Sequence, residues 1–340
     1  MSAMRIPATI LTGFLGAGKS TLLRRVLTEV HGRRIAVIEN EFGEENIDIE
    51  IIVSGGDEHI VQLSNGCLCC GIRDDLRRTL IDLAGRRASG EIAFDQVMIE
   101  TTGLADPGPV AQTFFLDPQV AAAYRPDAIL TLVDGKHAMS QLDARSEARR
   151  QVGFADRLFI SKSDVADPTL LAILRERLYQ MNPRAPQHVV SFGEVALDAV
   201  LDVGGFNLDA ELDFEPPSPC EHDGACDRAH PHGLRHAHHH RHDDDVKSFV
   251  FRSGRPFHGV RFGQFMNAIV RSHGPALMRY KGVLHVAGQE RKVILQGVHQ
   301  LMSHDEGPAW PLGERESRLV FIGVDLPREL MMRSLQLCLA

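Results

Sequence analysis

The stretch ATILTGFLGAGKSTLLRRVL (residues 8–27) constrains this chain more than any other. Its centre, GFLGAGKS (13–20), fits G-x-x-x-x-G-K-[ST] at every fixed position, with Gly13, Gly18, Lys19 and Ser20. An apolar, β-branched run precedes it. A helical pattern follows it, with Leu22, Leu23, Val26, Leu27 and Val30 on one broad face. A strand that turns through glycines into a helix curls backbone N–H groups around a phosphate, and the helix N-terminus adds partial positive charge toward it. Lys19 is then placed to reach the β- and γ-phosphates, and the Ser20 hydroxyl to ligate Mg²⁺. The phosphate-contacting set expected from this loop is Gly13, Gly16, Ala17, Gly18, Lys19, Ser20 and Thr21.

The rest of the first two hundred residues continues the alternation that this loop begins. Strand candidates are ATILT (8–12), RIAVIE (34–39), IVQLS (60–64), QVMIE (96–100), AILTLVD (128–134), RLFIS (157–161) and HVVSF (188–192), with helical patterns between them. That pattern predicts an α/β fold: a P-loop NTPase domain over residues 1–206, with a mostly parallel sheet and helices on both faces. Residues 207–245 then turn rich in His, Asp and Pro and poor in large apolar side chains, which reads as a flexible linker. Residues 246–340 resume with a strand (VKSFVFRS), a helix (FGQFMNAIVRS), a hairpin turning near Gly288, a strand (RLVFIGVDL) and a closing helix. They predict a small α+β C-terminal domain, and 340 residues suffice for both cores.

Two strand ends offer an acid to complete a Mg²⁺ site, Glu100 in VMIETTG and Asp134 in TLVDG. Glu100 is the better candidate, because Gly103 supplies a flexible amide nearby where a γ-phosphate can be sensed. Asp134 reads equally well as a helix cap or turn residue. SKSD (161–164) matches the guanine motif N/T-K-x-D except at its first position. The Asp164 carboxylate can accept from guanine N1–H and N2–H₂ together, which adenine cannot supply, while the Lys162 stem lies over the base. Ser161 stands where Asn or Thr is usual.

The chain has six cysteines, and GCLCC (66–70) holds three of them, Cys67, Cys69 and Cys70. No long apolar run spans a membrane, and the apolar N-terminal stretch runs into Lys19 without a strong basic leader. The expected compartment is therefore the cytoplasm, where thiols stay reduced, and a disulfide staple is demoted. Three thiolates can serve Zn²⁺ or another soft metal, although adjacent Cys69 and Cys70 do not readily aim at one ion. Glu39 and Glu44 of ENEFGE (39–44) follow the second strand, near the phosphate end of the sheet, and offer further ligands. The competing reading is three small buried cysteines and a solvated acidic loop. In the linker, His230, His232, His236, His238, His239, His240 and His242 can hold Zn²⁺, Ni²⁺ or Co²⁺ loosely, or be merely solvated. The net charge of -8 argues against nucleic acid as a partner.

TGFLGAGKSTLL, AVIENEFGE, NGCLCC, ETTGLADPGP, SKSD and the late VFIG together resemble the CobW/YjiA-type metallochaperone GTPases, from about residue 6 to 325. The resemblance implies a SIMIBI-class GTPase domain followed by a CobW C-terminal domain. It implies hydrolysis of GTP to GDP coupled to binding and delivery of a transition metal, zinc above cobalt or nickel, to an apo-metalloenzyme client. It also implies a metal held by Glu39, Glu44 and Cys69, with Cys67 and Cys70 as further candidates. Lys19 and Glu100 carry the catalytic expectation, and Glu39 is either a metal ligand or the residue that orients water. A homo-oligomer is left open. Two other readings stay in view: a P-loop kinase acting on a small molecule, and a metal buffer that relies on the histidine tract.

Overall fold

A computed structural model describes residues 5–29, 31–40, 48–53, 58–60, 72–206, 244–311, 313 and 315–340. The strands of the first sheet are β1 (Ile6–Gly13), β2 (Arg34–Asn40), β3 (Asp48–Val53), β4 (Glu58–Ile60), β5 (Gln96–Thr101), β6 (Tyr124–Asp134), β7 (Arg157–Ser161) and β8 (Gln187–Val189). Their spatial order is β4-β3-β2-β5-β1-β6-β7-β8. β2, β5, β1, β6, β7 and β8 run parallel, whereas β3 pairs antiparallel with β2, and β4 antiparallel with β3. The parallel strands are joined by α1 (Lys19–Thr28), α2 (Ile72–Ala88), α3 (Pro107–Leu116), α4 (Pro118–Ala123), α5 (Ala138–Ala144), α6 (Ser146–Phe154) and α7 (Pro168–Met181). A strand covered on both faces has no solvent side, so β1 and β6 are buried along most of their length rather than alternating. β1 lies between β5 and β6, which puts the GFLGAGKS turn at the carboxyl end of the sheet centre, where ligands of such sheets bind.

The second sheet contains β9 (Val246–Ser253), β10 (Leu277–Leu284), β11 (Arg291–Val298), β12 (Leu301–Ala309) and β13 (Ser317–Val324) in the order β12-β11-β10-β13-β9, all antiparallel. With α8 (Gly259–His273) and α9 (Arg328–Leu337) it encloses its own cluster around Phe249, Phe257, Phe262 and Phe321. Gly288 takes φ 80 in the β10–β11 connection, as the expected hairpin turn requires.

The larger core does not stop at the first sheet. It takes in Val246, Met278, Val298, Val320 and Ile322 from the second, and α6 packs against β1, β9 and β10. Charge pairs lie along the same seam, those of Arg177, Arg149 and Arg279 crossing it. Arg177 makes a two-pronged pair with Asp244 at 2.7 and 2.9 Å, Arg149 pairs with Asp245, and Asp156 accepts from Arg184 and, at 2.7 Å, from Arg279. Removing one partner of such a buried pair strands the other charge, at a cost of roughly 3–5 kcal/mol.

The structure differs from the sequence reading in three places. The β3 strand, DIEIIV, was not expected, and it makes one edge of the first sheet antiparallel. HVVSF is strand only to Val189, because Phe192 turns into the left-handed region at φ 51. β12, LMSHDEGPA, adds an unexpected outer strand to the hairpin. Of IVQLS only Ile60 lies among the described residues.

Candidate functional site

Gly18 begins α1 in the left-handed conformation, φ 91, and no side chain caps the helix. The first-turn N–H groups therefore point toward whatever lies in the loop, and Gly18 is the residue type that reaches this conformation without strain. Lys19 is 8% exposed, and its ammonium donates across the loop to the carbonyls of Gly13 (3.2 Å) and Phe14 (3.4 Å). Burial lowers its pKa, while the charge of Glu100 opposes the fall. The Ser20 hydroxyl donates to Glu100 Oε1 at 2.8 Å. Serine and carboxylate oxygens this close to the lysine form a hard donor set that fits Mg²⁺.

Glu39 is set beside this pair by sheet register. β2 runs parallel to β5 with Glu39 opposite Glu100, and β1 is paired on the other side with Leu11 opposite Glu100. Glu39, Glu100, Lys19, Ser20, Thr21, Gly16 and Gly103 line one cavity of about 700 Å³.

The loop after β5 closes against the phosphate loop, backbone to backbone. A Cβ at Gly103 would stand 2.6 Å from the Leu15 Cα, so the two loops can meet only because residue 103 is glycine. From behind, Gln151 of α6, wholly buried, donates to the carbonyls of Gly103 (3.2 Å) and Ala105 (2.9 Å). Asp106 caps α3 through the Gly108 N–H at 2.8 Å and takes Arg150 of α6 at 2.8 Å. His299, between β11 and β12, rests against Phe154 and presses on Gly108, where a Cβ would come within 2.8 Å of its Nε2. Thus the glycine loop of the nucleotide cavity, α6 and the second sheet form one chain of contacts.

SKSD ends β7 on the opposite side of α1. The Ser161 hydroxyl donates to the carbonyl of Ala17 in the phosphate loop (2.7 Å) and to that of Val133 (3.2 Å). The unusual serine therefore ties the guanine motif to the phosphate loop. Lys162 adopts φ 55 and its ammonium reaches Asp134 Oδ2 at 2.8 Å, while Asp164 is exposed in a short 3-10 turn. Asp134 also accepts from the His137 ring nitrogen Nδ1 (3.0 Å) and from the Lys136 and His137 N–H groups. Burial alone would raise the Asp134 pKa, but the Lys162 and His137 bonds hold it below the usual carboxylate range. Of the two acids weighed from sequence, Glu100 therefore stands at Ser20, and Asp134 positions Lys162.

Among the predicted metal ligands Glu39 is described. Glu44, Cys67, Cys69, Cys70 and the histidines at 230, 232, 236, 238, 239, 240 and 242 lie outside the described residues, and the described residues alone hold no His/Cys/Asp/Glu metal cluster. Sequence reading missed Gln151, Arg150 and Asp106. Only Asp106 left a local trace, as an acid directly before Pro107, the signature of a capped helix start. No described helix is long and apolar enough to cross a membrane.

A glycine-opened helix below the sheet centre, a lysine inside its loop, a serine–glutamate pair and a K-x-D turn beside it define a P-loop nucleotide-binding protein. Residues 7–189 match the family model "CobW/HypB/UreG, nucleotide-binding domain", and residues 246–339 match "Cobalamin synthesis protein cobW C-terminal domain". The chain belongs to the CobW/HypB/UreG family. It is 38% identical over 326 residues to the zinc chaperone YjiA of Escherichia coli, covering 95% of this chain and 96% of that one. It is 30% identical over 350 residues to the zinc chaperone CobW of a Sinorhizobium species, covering 94% and 93%. The crystal structure of Zn(II)-bound YjiA GTPase from E. coli superposes with a TM-score of 0.79 at 36% identity, over 99% of this chain and all of that one.

Proposed function

We propose that this protein is a GTPase that binds a transition-metal ion, zinc foremost, as cargo and passes it to an apo-metalloenzyme. The observation that carries the reading is the position of Glu39. It is a predicted metal ligand, yet it lines the nucleotide cavity beside Glu100, on the strand paired with the one that holds the Ser20 partner. A carboxylate at that place answers to both the nucleotide and the metal. The likeness to zinc chaperones and to a Zn(II)-bound GTPase supports the metal assignment.

In this reading Lys19 leaves the Gly13 and Phe14 carbonyls for the β- and γ-phosphate oxygens, and the first-turn N–H groups of α1 hold the phosphate chain. Ser20 and Glu100 hold Mg²⁺, which when bound neutralises charge developing on the transferred phosphoryl group. The Gly103 amide reports the γ-phosphate. Asp164 and Lys162 select guanine. Cys67, Cys69, Cys70 and Glu44 complete the cargo site with Glu39, and the histidine tract at 230–242 gathers metal loosely. The division of labour is a GTPase domain at 1–206, a linker at 207–245 and a C-terminal domain at 246–340 that meets the client.

The test is a comparison of metal content in full-length protein loaded with GTP or with GDP, followed by transfer to candidate apo-enzymes. The reading expects GTP to be preferred to ATP and metal occupancy to depend on the nucleotide. ATP preference with phosphoryl transfer to a small molecule would favour a kinase. Loss of nearly all metal capacity on deleting 220–242 would favour a buffer.

A further inference from the structure

Successive residues of a helix point about 100° apart, so one turn of α6 can hold three different neighbours at once. Arg149 pairs with Asp245, directly before β9. Arg150 Nη1 donates to Asp106 Oδ2 at 2.8 Å, and the Gln151 amide donates to the carbonyls of Gly103 (3.2 Å) and Ala105 (2.9 Å). Gln151 is wholly buried, and among the described residues its Oε1 has no hydrogen-bond partner. Methionine would fill a similar volume without taking an amide out of water, so packing does not account for glutamine at this place. What the amide supplies is its N–H donors.

Those donors start from a fixed base. The Gln151 carbonyl accepts the Thr131 hydroxyl of β6 at 3.0 Å, and α6 packs against β1, β9 and β10. The carbonyls they hold decide which way the loop after β5 faces. In a trans peptide unit the C=O and N–H point in opposite directions. With the Gly103 carbonyl drawn back onto Gln151, the Leu104 N–H of the same unit faces away from that amide. Gly103 and Leu104 line the nucleotide cavity, and Gln151 stands behind them. The loop is therefore held between the Leu15 backbone on one side and the Gln151 amide on the other.

We propose that Gln151 is a positioning residue for GTP hydrolysis: by holding the Gly103 and Ala105 carbonyls it keeps the loop after β5 turned so that its amides meet the γ-phosphate. Gln151 acts through that loop and touches no nucleotide itself. The inference rests on the reading of the loop as the γ-phosphate sensor. Preorganised amides favour charge developing on the transferred phosphoryl group, whereas a loop free to turn must first be ordered. GDP lacks the γ-phosphate, so its affinity does not depend on this orientation. Arg150 braces the same loop from the surface through Asp106.

The test is equilibrium binding of a non-hydrolysable GTP analogue and of GDP to full-length protein with Mg²⁺, with steady-state hydrolysis and thermal unfolding measured on the same samples. Gln151→Met should weaken the analogue by about 5–30-fold and GDP by less than about twofold, and lower kcat by at least about tenfold. Arg150→Gln, at an exposed position where folding is not at stake, should move the analogue-to-GDP ratio the same way by about 2–3-fold. A packing role alone lowers the unfolding temperature and leaves that ratio unchanged. An unchanged ratio in folded Gln151→Met overturns the inference, and if that variant does not fold, an unchanged ratio in Arg150→Gln overturns it. Gly103→Ala separates the two failures. If it splits GTP from GDP and Gln151→Met does not, the inference alone falls; if neither does, the loop is not the γ-phosphate sensor and the inference falls with that reading.

Discussion

The Ser20 hydroxyl lies 2.8 Å from Glu100 Oε1, joining the first turn of α1 to the end of β5. These two side chains come from positions eighty residues apart, and the parallel pairing of β1 with β5 brings them together. If they hold one Mg²⁺, they act as a unit. Ser20→Ala and Glu100→Gln should each lower kcat for GTP hydrolysis by about 10²-fold or more, and the double variant should lose little beyond the worse single one. Steady-state hydrolysis across the double-mutant cycle checks this, and fully additive losses would separate their roles.

The Gly103–Leu15 approach makes a second prediction. A methyl group at 103 would stand 2.6 Å from the Leu15 Cα and 2.8 Å from its nitrogen, and backbone cannot yield as a side-chain tip can. Gly103→Ala should push the two loops apart and weaken GTP more than GDP, because the Gly103 amide is assigned to the γ-phosphate. Equilibrium binding of both nucleotides measures the split, and a loss equal for GTP and GDP would remove Gly103 from γ-phosphate sensing.

The Asp164 carboxylate is exposed at the K-x-D turn, and its proposed partners are two guanine donors. Asp164→Asn offers an amide that can accept from N1–H and donate to a carbonyl at C2. The variant should therefore lose GTP affinity by about 10²-fold and gain xanthosine triphosphate, whose C2 carries that carbonyl. Unchanged GTP over ATP preference would place base recognition elsewhere.

Most of the parallel sheet was legible in sequence because strands buried on both faces are written as continuous apolar runs, and the phosphate loop because its chemistry demands fixed residue types. The edges were not. β12 carries Ser303, His304, Asp305 and Glu306 without apolar alternation, and Pro308 is tolerated there because an outermost strand pairs on one side only. The site's acids were legible as strand-end residues and Lys19 as part of the phosphate loop, but what holds them was not. Gln151 reaches the Gly103 carbonyl from another helix, and Ser161 reaches the Ala17 carbonyl from 144 positions away. Nothing local marks such contacts, since they exist only once the sheet order is set. The same holds for the seam, where Arg184 and Arg279 reach Asp156 from positions 28 and 123 residues away.

That seam gives a pH prediction. Lys281 is 4% exposed and burial pushes its pKa down to about 7, against an ordinary value near 10.4 in the unfolded chain. Below pH 7 both states are protonated and the group adds no pH dependence. Between about pH 7 and 10 the unfolded chain binds the extra proton, so this group makes stability rise with pH, by up to roughly 1.4 kcal/mol per unit. Denaturant unfolding across that range should show the rise, and Lys281→Met should flatten it. An identical pH slope in both proteins would contradict the assignment.

The central claim is that nucleotide and metal share the element that carries Glu39, and linkage makes this reciprocal: whatever factor GTP imposes on metal affinity, metal must impose on GTP affinity. The most direct measurement is the affinity of full-length protein for a non-hydrolysable GTP analogue, with and without one equivalent of Zn²⁺, beside the same pair for GDP. The account predicts that Zn²⁺ shifts the analogue's affinity by at least about fivefold and GDP's by a different factor, with Glu39→Gln removing the difference. Equal analogue affinities with and without Zn²⁺ would contradict it.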